Sequence, residues 1–287
     1  MSDLPPATLP DDYSLTRRGA AKAIAAGYAV LATAVDADPI TTPGTGLIIE
    51  DVTMAGGLPG YVARPMASGA HPAVIVVSEI FGVHEWIKDI CRRFAQAGYV
   101  AVAPNFFYRA DPENTLPTLT EMADVRKIVA TAGLDQQMAD VKTTVAWLGA
   151  QSFAAKGRTG ITGFCWGGSV VWMAAALVPG IKAGGAWYGR LSGGDDTSRP
   201  YPLTSVEQLK APVLGLYGGQ DRGIPVSDVE AMNAALAATK NPVAKASRVV
   251  LYPQANHGFL ADYRPSYSEA DGKDAWAKLL VHFKANV

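Results

Sequence analysis

The sequence predicts an α/β fold with a mainly parallel central sheet and helices on both faces. Strand-like and helix-like segments alternate from about residue 46 to the C-terminus, which is typical of a parallel sheet. The run Ala73–Val77 is uninterrupted and rich in β-branched residues, as expected for a central strand buried on both faces. The segment Gly163–Gly168 is typical of a sharp turn from a strand into a helix.

Eight segments of apolar, β-branched or aromatic residues bounded by turn residues are predicted as strands. The first two form a pair around a glycine-containing turn at residues 55–57. In chain order the strands are Leu47–Val52, Gly60–Ala63, Ala73–Val77, Tyr99–Ala103, Gly160–Phe164, Ala183–Tyr188, Val213–Tyr217 and Arg248–Tyr252.

Helices are predicted between these strands, where segments are too long for a turn. A helical insert spans about residues 112–151 and is broken near residues 131–133, where a glycine interrupts it. The other predicted helices are Glu85–Ala97, Val170–Leu177, Val226–Ala238 and Ser268–Lys284. Residues 46–287 are therefore expected to form a single domain.

Composition excludes several classes of protein. The 287 residues are 49% hydrophobic, which is enough to bury a full core. The net charge is -1 without a basic stripe, so nucleic acid is not an expected partner. Two cysteines do not make a disulfide framework, and no Cys or His spacing suits a metal site. Neither a metal nor an organic cofactor is expected.

The first forty residues form an extension with a different pattern. Arg17 and Arg18 precede an apolar run of small residues, Gly19–Val35, which resembles a twin-arginine export signal. The alternative is an N-terminal helix that docks on the domain. The run is too short and too weakly hydrophobic for stable membrane insertion. We expect a periplasmic or otherwise exported protein if the signal is processed, and a cytoplasmic one if it is not.

The segment Gly163–Gly168 contains the pattern G-x-C-x-G, a nucleophile elbow with cysteine where serine is usual. Such a turn brings backbone atoms close together and therefore needs small residues beside the nucleophile. The start of the following helix places a positive dipole end near the sulfur, which favours the thiolate. Cys165 is the predicted nucleophile.

A cysteine nucleophile needs a base, and the chain has four histidines. His71 opens the central strand at the wrong end of the sheet, and His282 lies in the last helix. His84 follows a strand end and borders the predicted site. His257 lies in a loop of small residues after the last strand, and it is the predicted base.

The orienting acid is expected between nucleophile and base in the chain. Asp195 and Asp196 lie in a glycine-rich polar loop, where their carboxylates are expected to be solvated. Asp228 lies at a helix start, where a capping or dipole role is sufficient to account for it. Asp221 directly follows a strand, so its carboxylate can reach the same sheet edge. It is the predicted acid.

Glu79 follows the central strand and places a carboxylate near the active edge of the sheet. Because a buried carboxylate is costly unless paired, one interpretation is a salt bridge to Arg92, Arg93 or Arg109. The functional interpretation is control of the thiol: a carboxylate beside Cys165 would oppose its ionisation and could accept its S–H hydrogen bond.

The loop that contains Glu79 follows the strand that supplies one of the two N–H groups of an oxyanion hole in elbow-containing folds. The residue after the nucleophile supplies the other. The backbone N–H groups of Ile80 and Trp166 are therefore the predicted oxyanion hole.

Together these residues resemble the dienelactone hydrolase (carboxymethylenebutenolidase) family of the α/β-hydrolase fold. The resemblance runs from about Leu47 to the C-terminus. Its most specific stretches are Glu79–Val83, Gly163–Gly168, Gly218–Asp221 and Ala255–Phe259. It implies Cys165 as nucleophile, His257 as base, Asp221 as acid and Glu79 as the carboxylate that controls the thiol.

Substrate binding departs from the family pattern. Family members that act on dienelactone hold its carboxylate with arginines, one of them soon after the catalytic histidine. Here the first arginine after His257 is Arg264, and Arg126 in the helical insert is an unaligned counterpart of the other. The resemblance therefore carries the hydrolase chemistry but not the substrate. Residues predicted to line the pocket are Tyr108, Arg109, Trp187, Tyr188 and Arg264.

The predicted function is hydrolysis of a small-molecule ester or lactone through a covalent acyl-enzyme on Cys165. One alternative is a thioesterase or acyl transferase with the same triad. Another is a non-enzymatic binding or thiol redox-sensing module that keeps the fold. Cys91 continues an apolar helical pattern and is interpreted as a core residue.

Overall fold

The computed structural model describes residues 40–287, and the predicted export signal or docking helix lies outside them. Within this range the chain forms one eight-stranded sheet. The strands are β1 (Leu47–Thr53), β2 (Pro59–Pro65), β3 (His71–Val77), β4 (Val100–Pro104), β5 (Ala154–Phe164), β6 (Ile181–Trp187), β7 (Val213–Gly218) and β8 (Arg248–Tyr252).

The order of the strands across the sheet is β1-β2-β4-β3-β5-β6-β7-β8. The pairs β1/β2 and β2/β4 are antiparallel, and all pairs from β4/β3 to β7/β8 are parallel. The predicted mainly parallel sheet is confirmed. Because the parallel strands all end at one edge, the loops that follow β3, β5, β7 and β8 meet there.

Helices follow most of the strands, as the alternating pattern predicted. They are α1 (Glu85–Gln96), α2 (Met122–Val129), α3 (Leu134–Ala150), α4 (Trp166–Leu177), α5 (Val226–Ala238), α6 (Pro242–Lys245) and α7 (Glu269–Asn286). The insert is helical as predicted, with α2 and α3 separated by residues 130–133. Helix α4 begins four residues earlier than predicted, directly after the cysteine of the elbow.

Two glycines of β6 show that helices cover both faces of the sheet. Successive residues of a strand face opposite sides. A Cβ on Gly184 would contact Val171 of α4, whereas a Cβ on Gly185 would meet Leu279 of α7. Helix α1 lies on the α7 face, since its Phe94 ring is 6.0 Å from the ring of Phe283. The sheet is therefore the middle layer of three.

A buried ionic cluster fastens α1 to two distant parts of the chain. Asp89 is fully buried and accepts hydrogen bonds from Arg93 Nε at 2.6 Å and from the backbone of Thr42, also at 2.6 Å. Arg93 Nη2 also donates to Asp262 in the loop after β8, at 2.5 Å. Arg93 thus joins the segment before β1, helix α1 and the loop that contains His257.

Replacing Arg93 with Met should destabilise the fold by about 3 kcal/mol, because it leaves the buried Asp262 without its cation and removes one of the two arginines that bind Asp89. The loss should be larger at pH 8 than at pH 5, since protonation relieves an unpaired carboxylate. Urea denaturation at both pH values measures it. Lys127→Met, which breaks the exposed pair with Asp124, is the control and should leave the midpoint unchanged. Equal midpoints for both variants would contradict the structural role of Arg93.

Candidate active site

Cys165 lies between the end of β5 and the first residue of α4. Its backbone has φ 55° and ψ −116°, a conformation that non-glycine residues rarely adopt. Its N–H donates to the carbonyl of Trp187 at 3.0 Å, and its carbonyl accepts from Gly168 at 2.9 Å. These bonds hold the strained residue at the carboxyl edge of the sheet, so that its side chain is partly exposed while its neighbours in β5 are buried.

The elbow depends on the absence of side chains on either side of Cys165. A Cβ on Gly167 would lie 2.5 Å from the carbonyl oxygen of Ser78 and 2.6 Å from that of Val77. A Cβ on Gly163 would overlap the carbonyl of Gly167. The start of α4 therefore rests directly on the end of β3, which explains why glycine occupies these positions.

The predicted acid and base meet across two neighbouring loops. Asp221 lies in the loop after β7, and its Oδ2 accepts a hydrogen bond from His257 Nδ1 at 2.6 Å. Its other oxygen accepts from the N–H of Gly223 at 2.8 Å. Both side chains are nearly fully buried. The two loops are joined by backbone bonds, Gly219 N–H to Tyr252 O at 2.8 Å and Gln220 N–H to Ala255 O at 2.9 Å.

The other side of the His257 ring is hydrogen-bonded to Cys165, which brings the three predicted triad residues together in order. Burial disfavours the imidazolium, but the electrostatic interaction with Cys165 and the hydrogen bond to Asp221 outweigh it and raise the pKa of His257 to about 10. The ring of Tyr188 lies 5.0 Å from the imidazole. The contacts with Cys165 and Asp221 therefore favour the protonated form of His257.

Glu79 is completely buried and has three side-chain partners. Its Oε1 accepts from Arg264 Nη2 at 2.9 Å, and its Oε2 accepts from the Tyr263 hydroxyl at 2.7 Å. His84 Nε2 lies 3.1 Å from the same Oε2. Burial raises the pKa of this carboxyl, but the charge of Arg264 and the hydrogen bond with His84 prevail and lower it to about 2. Glu79 is thus a paired carboxylate, and its predicted control of the thiol stays a prediction.

The predicted salt bridge of Glu79 exists, but the arginines proposed as its partners bind other carboxylates, so the predicted partners were wrong. Arg92 and Arg93 bind Asp89, and Arg109 binds Asp140 through two hydrogen bonds of 2.9 and 2.8 Å. Those arginines were proposed because they lie close to Glu79 in the chain. The actual partner lies 185 residues away and reaches Glu79 only because the loops after β3 and β8 share one sheet edge.

The residues predicted to line the pocket lie in three different environments. Tyr188 and Arg264 lie beside the triad and Glu79. Tyr108 and Arg109 lie in the loop after β4, where the Tyr108 hydroxyl donates to Gly56 O at 2.8 Å. Trp187 is buried, and its Nε1 donates to Thr162 at 3.1 Å.

Three further side chains belong to the site's surroundings. His84, placed at its border from the sequence, contacts Glu79 directly. Tyr263 was not singled out, and the only available signal was its position next to Arg264. Phe107 was also missed, and its ring packs against Trp166 at a centroid distance of 4.9 Å. Cys91 is fully buried in the core, as interpreted.

Residues 40–287 contain no candidate metal cluster and no candidate membrane span. No cluster of three or more His, Cys, Asp or Glu side chains there has a geometry suited to a metal ion. In the same range no helix is both long and apolar enough to cross a membrane.

The strand–turn–helix placement of Cys165, with Asp221 and His257 on later strand-end loops, defines an α/β-hydrolase fold. Residues 58–287 match the dienelactone hydrolase family profile. The chain belongs to the dienelactone hydrolase family, and it is an enzyme that hydrolyses carboxylic esters or lactones.

Similar proteins agree with this assignment over nearly the whole chain. A protein from Methylorubrum extorquens assigned as a carboxymethylenebutenolidase is 42% identical over 277 residues, which cover 94% of this chain and 93% of that protein. One from Salmonella typhimurium with the same assignment is 45% identical over 266 residues, or 90% of this chain and 94% of that protein.

A crystal structure from Klebsiella pneumoniae, assigned as a dienelactone hydrolase, is 41% identical and has a TM-score of 0.76. The match covers 83% of this chain and 98% of that chain. More distantly, a protein from Bradyrhizobium assigned as a 2-oxo-3-(5-oxofuran-2-ylidene)propanoate lactonase is 30% identical over 226 residues, which are 78% of this chain and 88% of that protein.

Replacing Gly163 with Ala should destabilise the protein by about 2 kcal/mol and lower its activity at least tenfold, because the new Cβ displaces the elbow. Thermal unfolding and steady-state kinetics measure the two effects. Gly149→Ala is the matched control, since this exposed glycine of α3 has open space around its Cα. The control should be as stable as the parent or slightly more so. A Gly163→Ala variant as stable as the control would argue against the close approach.

The ring of His257 should titrate near pH 10 in an NMR experiment on isotope-labelled protein. Because its folded pKa lies above the ordinary 6.5, the stability contributed by its proton is present in full below about pH 6.5 and is lost as pH rises towards 10. In the Asp221→Asn variant the titration midpoint of His257 should fall by at least about one pH unit.

An internal reference comes from His282, whose burial lowers its pKa below 6.5, so that the two rings should titrate on opposite sides of that value. A titration midpoint of His257 near pH 6.5 in the wild-type protein would contradict the raised pKa of this residue.

Proposed function

We propose that the enzyme cleaves its ester or lactone substrate with Cys165 as nucleophile, His257 as acid and base, and Asp221 as orienting acid. The observation that carries this proposal is the continuous contact from Asp221 through His257 to Cys165 at the elbow. The substrate is a small molecule that reaches the partly exposed sulfur from the carboxyl edge of the sheet.

In the first step the Cys165 thiolate attacks the carbonyl carbon and forms a C–S bond, while the carbonyl electron pair moves onto oxygen. The N–H groups of Ile80 and Trp166 donate to this oxyanion. The position of Trp166 supports its role, because the first amides of a helix have no acceptor within the helix. Ile80 lies in the loop after β3, against which α4 packs through Gly167.

In the second step the tetrahedral intermediate collapses, the C–O bond breaks, and His257 donates its proton to the departing alkoxide or enolate. In a lactone this oxygen stays tethered to the acyl group. Neutral His257 then takes a proton from water as the water attacks the thioester, and collapse releases the carboxylic acid and restores the ion pair. Asp221 keeps the ring oriented through its 2.6 Å hydrogen bond throughout.

A sulfur nucleophile limits the useful leaving groups. A thiolate is itself a good leaving group, so the intermediate returns to substrate unless the oxygen departs at least as readily. Enol lactones and aryl esters meet this condition, and amides do not. We therefore propose activated esters and enol lactones as the substrate class.

Cys165→Ala should lower kcat/KM for 4-nitrophenyl acetate and for an enol lactone at least about a thousandfold, because no covalent intermediate forms. Cys91→Ala is the control for loss of a thiol elsewhere, and it should keep wild-type activity. Undiminished hydrolysis by Cys165→Ala would refute the nucleophile assignment. In rapid-quench mass spectrometry an acyl adduct on wild type, absent from Cys165→Ala, identifies the intermediate.

The same experiment addresses the alternatives. An acyl transferase would require an added alcohol or thiol acceptor for turnover. A redox-sensing module would form sulfenic acid at Cys165 with peroxide but no acyl adduct with activated esters.

A further inference from the structure

The loop after β8 that contains His257 is a compact unit. Two consecutive turns form it, with the N–H of Ala261 donating to Gly258 O at 2.8 Å and the N–H of Arg264 donating to Ala261 O at 2.9 Å. Because both turns contain Ala261, a movement of one turn is passed on to the other. The position of His257 therefore depends in part on where residues 258–264 are anchored.

Asp262 anchors this unit to helix α1 and to the segment before β1. Its side chain is only 2% exposed, and its Oδ2 accepts a hydrogen bond from Arg93 Nη2 at 2.5 Å. The backbone N–H of Ile40 donates to the same carboxylate. Arg93 Nη2 also donates to the carbonyl of Ile40 at 3.3 Å. Asp262, Arg93 and Ile40 thus form a closed set of polar contacts among three parts of the chain.

We call residues 40–45 the N-terminal arm. All of them except Thr42 are exposed, so the arm buries little apolar surface. Polar contacts hold it instead. Asp89 accepts from the N–H of Thr42 at 2.6 Å, and Gln96 Nε2 donates to two carbonyls of the arm at 3.3 and 3.2 Å. Since the arm adds little to the core, its contact with Asp262 acts on the loop rather than on the packing of the domain.

We propose that Asp262 is a positioning residue for the hydrolytic reaction, and that it holds the His257 loop in place only while the N-terminal arm is bound to it. The inference rests on the proposed function, because it takes His257 as the base. In this role Asp262 acts through the backbone of residues 258–264 and not by contact with the substrate. Residues 40–45 are then a part of the functional enzyme.

A small displacement of this loop matters because His257 must reach Asp221 and Cys165 at the same time. The hydrogen bond to Asp221 is 2.6 Å long, and proton transfer on the other side of the ring also requires hydrogen-bond distance. A shift of about 1 Å in a catalytic group can lower the rate about a hundredfold. Without the N–H of Ile40, the buried carboxylate of Asp262 loses one of the hydrogen bonds that compensate its burial, and the loop is expected to move to regain one.

The test removes this one hydrogen bond in the full-length protein. Ile40→Pro has no N–H to donate to Asp262. Ile40→Ala is the matched control, since it keeps the N–H and removes only an exposed side chain. With 4-nitrophenyl acetate at pH 7.5, kcat of Ile40→Pro should be at least about fivefold below that of Ile40→Ala. The assays run well below the unfolding midpoint of each variant, as measured by thermal denaturation.

A purely structural contact would change stability without changing the surroundings of the His257 ring. On the proposal, its titration midpoint, followed by NMR, should be at least about 0.5 pH units lower in Ile40→Pro than in Ile40→Ala. The reason is that a displaced ring loses part of its contact with Cys165 and Asp221, which together raise its pKa. His282 in helix α7 is the reference, and its midpoint should be the same in both variants.

A double-mutant cycle shows whether the arm acts through Asp262. In an Asp262→Ala background, Ile40→Pro and Ile40→Ala should differ in kcat by less than about twofold, because the acceptor of the Ile40 N–H is absent. If Asp262→Ala does not fold, the two single variants at Ile40 still decide the proposal.

Equal kcat values or equal His257 midpoints in the two Ile40 variants would overturn the proposal. A loss of kcat that is as large without the Asp262 carboxylate as with it would do the same. These results would leave the proposed function intact, because both variants would still form an acyl-enzyme on Cys165. Failure of the proposed function has a different signature, in which Cys165→Ala hydrolyses the ester as fast as wild type.

Discussion

The site depends on one steric constraint, the contact of the first turn of α4 with the end of β3 through backbone atoms alone. Gly167 makes this contact, and the carbonyls of Val77 and Ser78 leave no room there for a side chain. The approach places the amide end of α4 beside the loop that contains Glu79. Because these two backbones touch, the sulfur of Cys165 and the first amides of α4 lie close to the loop that holds the buried carboxylate of Glu79.

On this frame the protein builds two buried pairs of opposite charge. His257 with Asp221 forms one, and Arg264 with Glu79 forms the other. In both pairs the carboxylate accepts a further hydrogen bond, from Gly223 or from Tyr263 respectively. The first pair turns towards Cys165 and exchanges protons during the reaction we propose. The second joins the loops that follow β3 and β8.

Local patterns were sufficient to predict most of the fold and the three residues that the structure brings into contact at the elbow. The strand signal of Ala73–Val77 is strong because a central strand is apolar on both faces, and the elbow is recognisable because glycines at its turn have no substitute. The order of nucleophile, acid and base then reduced four histidines and several aspartates to one of each. The start of α4 was misplaced, because Trp166 and the two glycines after it do not look helical by propensity.

The partners of Glu79 could not be predicted in the same way. A carboxylate after a buried strand signals that some cation compensates it, but the pattern does not say which one. Arg264 is distant in the chain, and its approach depends on the path of a loop that has no periodicity. The pairing of Arg109 with Asp140 was hidden for a similar reason, since it joins a loop to a helix 31 residues later.

The loops that contain Asp221 and His257 are tied to each other by two backbone hydrogen bonds, from Gly219 to Tyr252 at the end of β8 and from Gln220 to Ala255 in the loop that follows. Acid and base therefore form a single mechanical unit attached to β7 and β8, separate from the unit that holds the nucleophile. Strain applied to either loop is shared by both. A redesign that moves Asp221 and His257 into another protein should therefore transfer both loops together with β7 and β8. The elbow can remain that of the recipient protein.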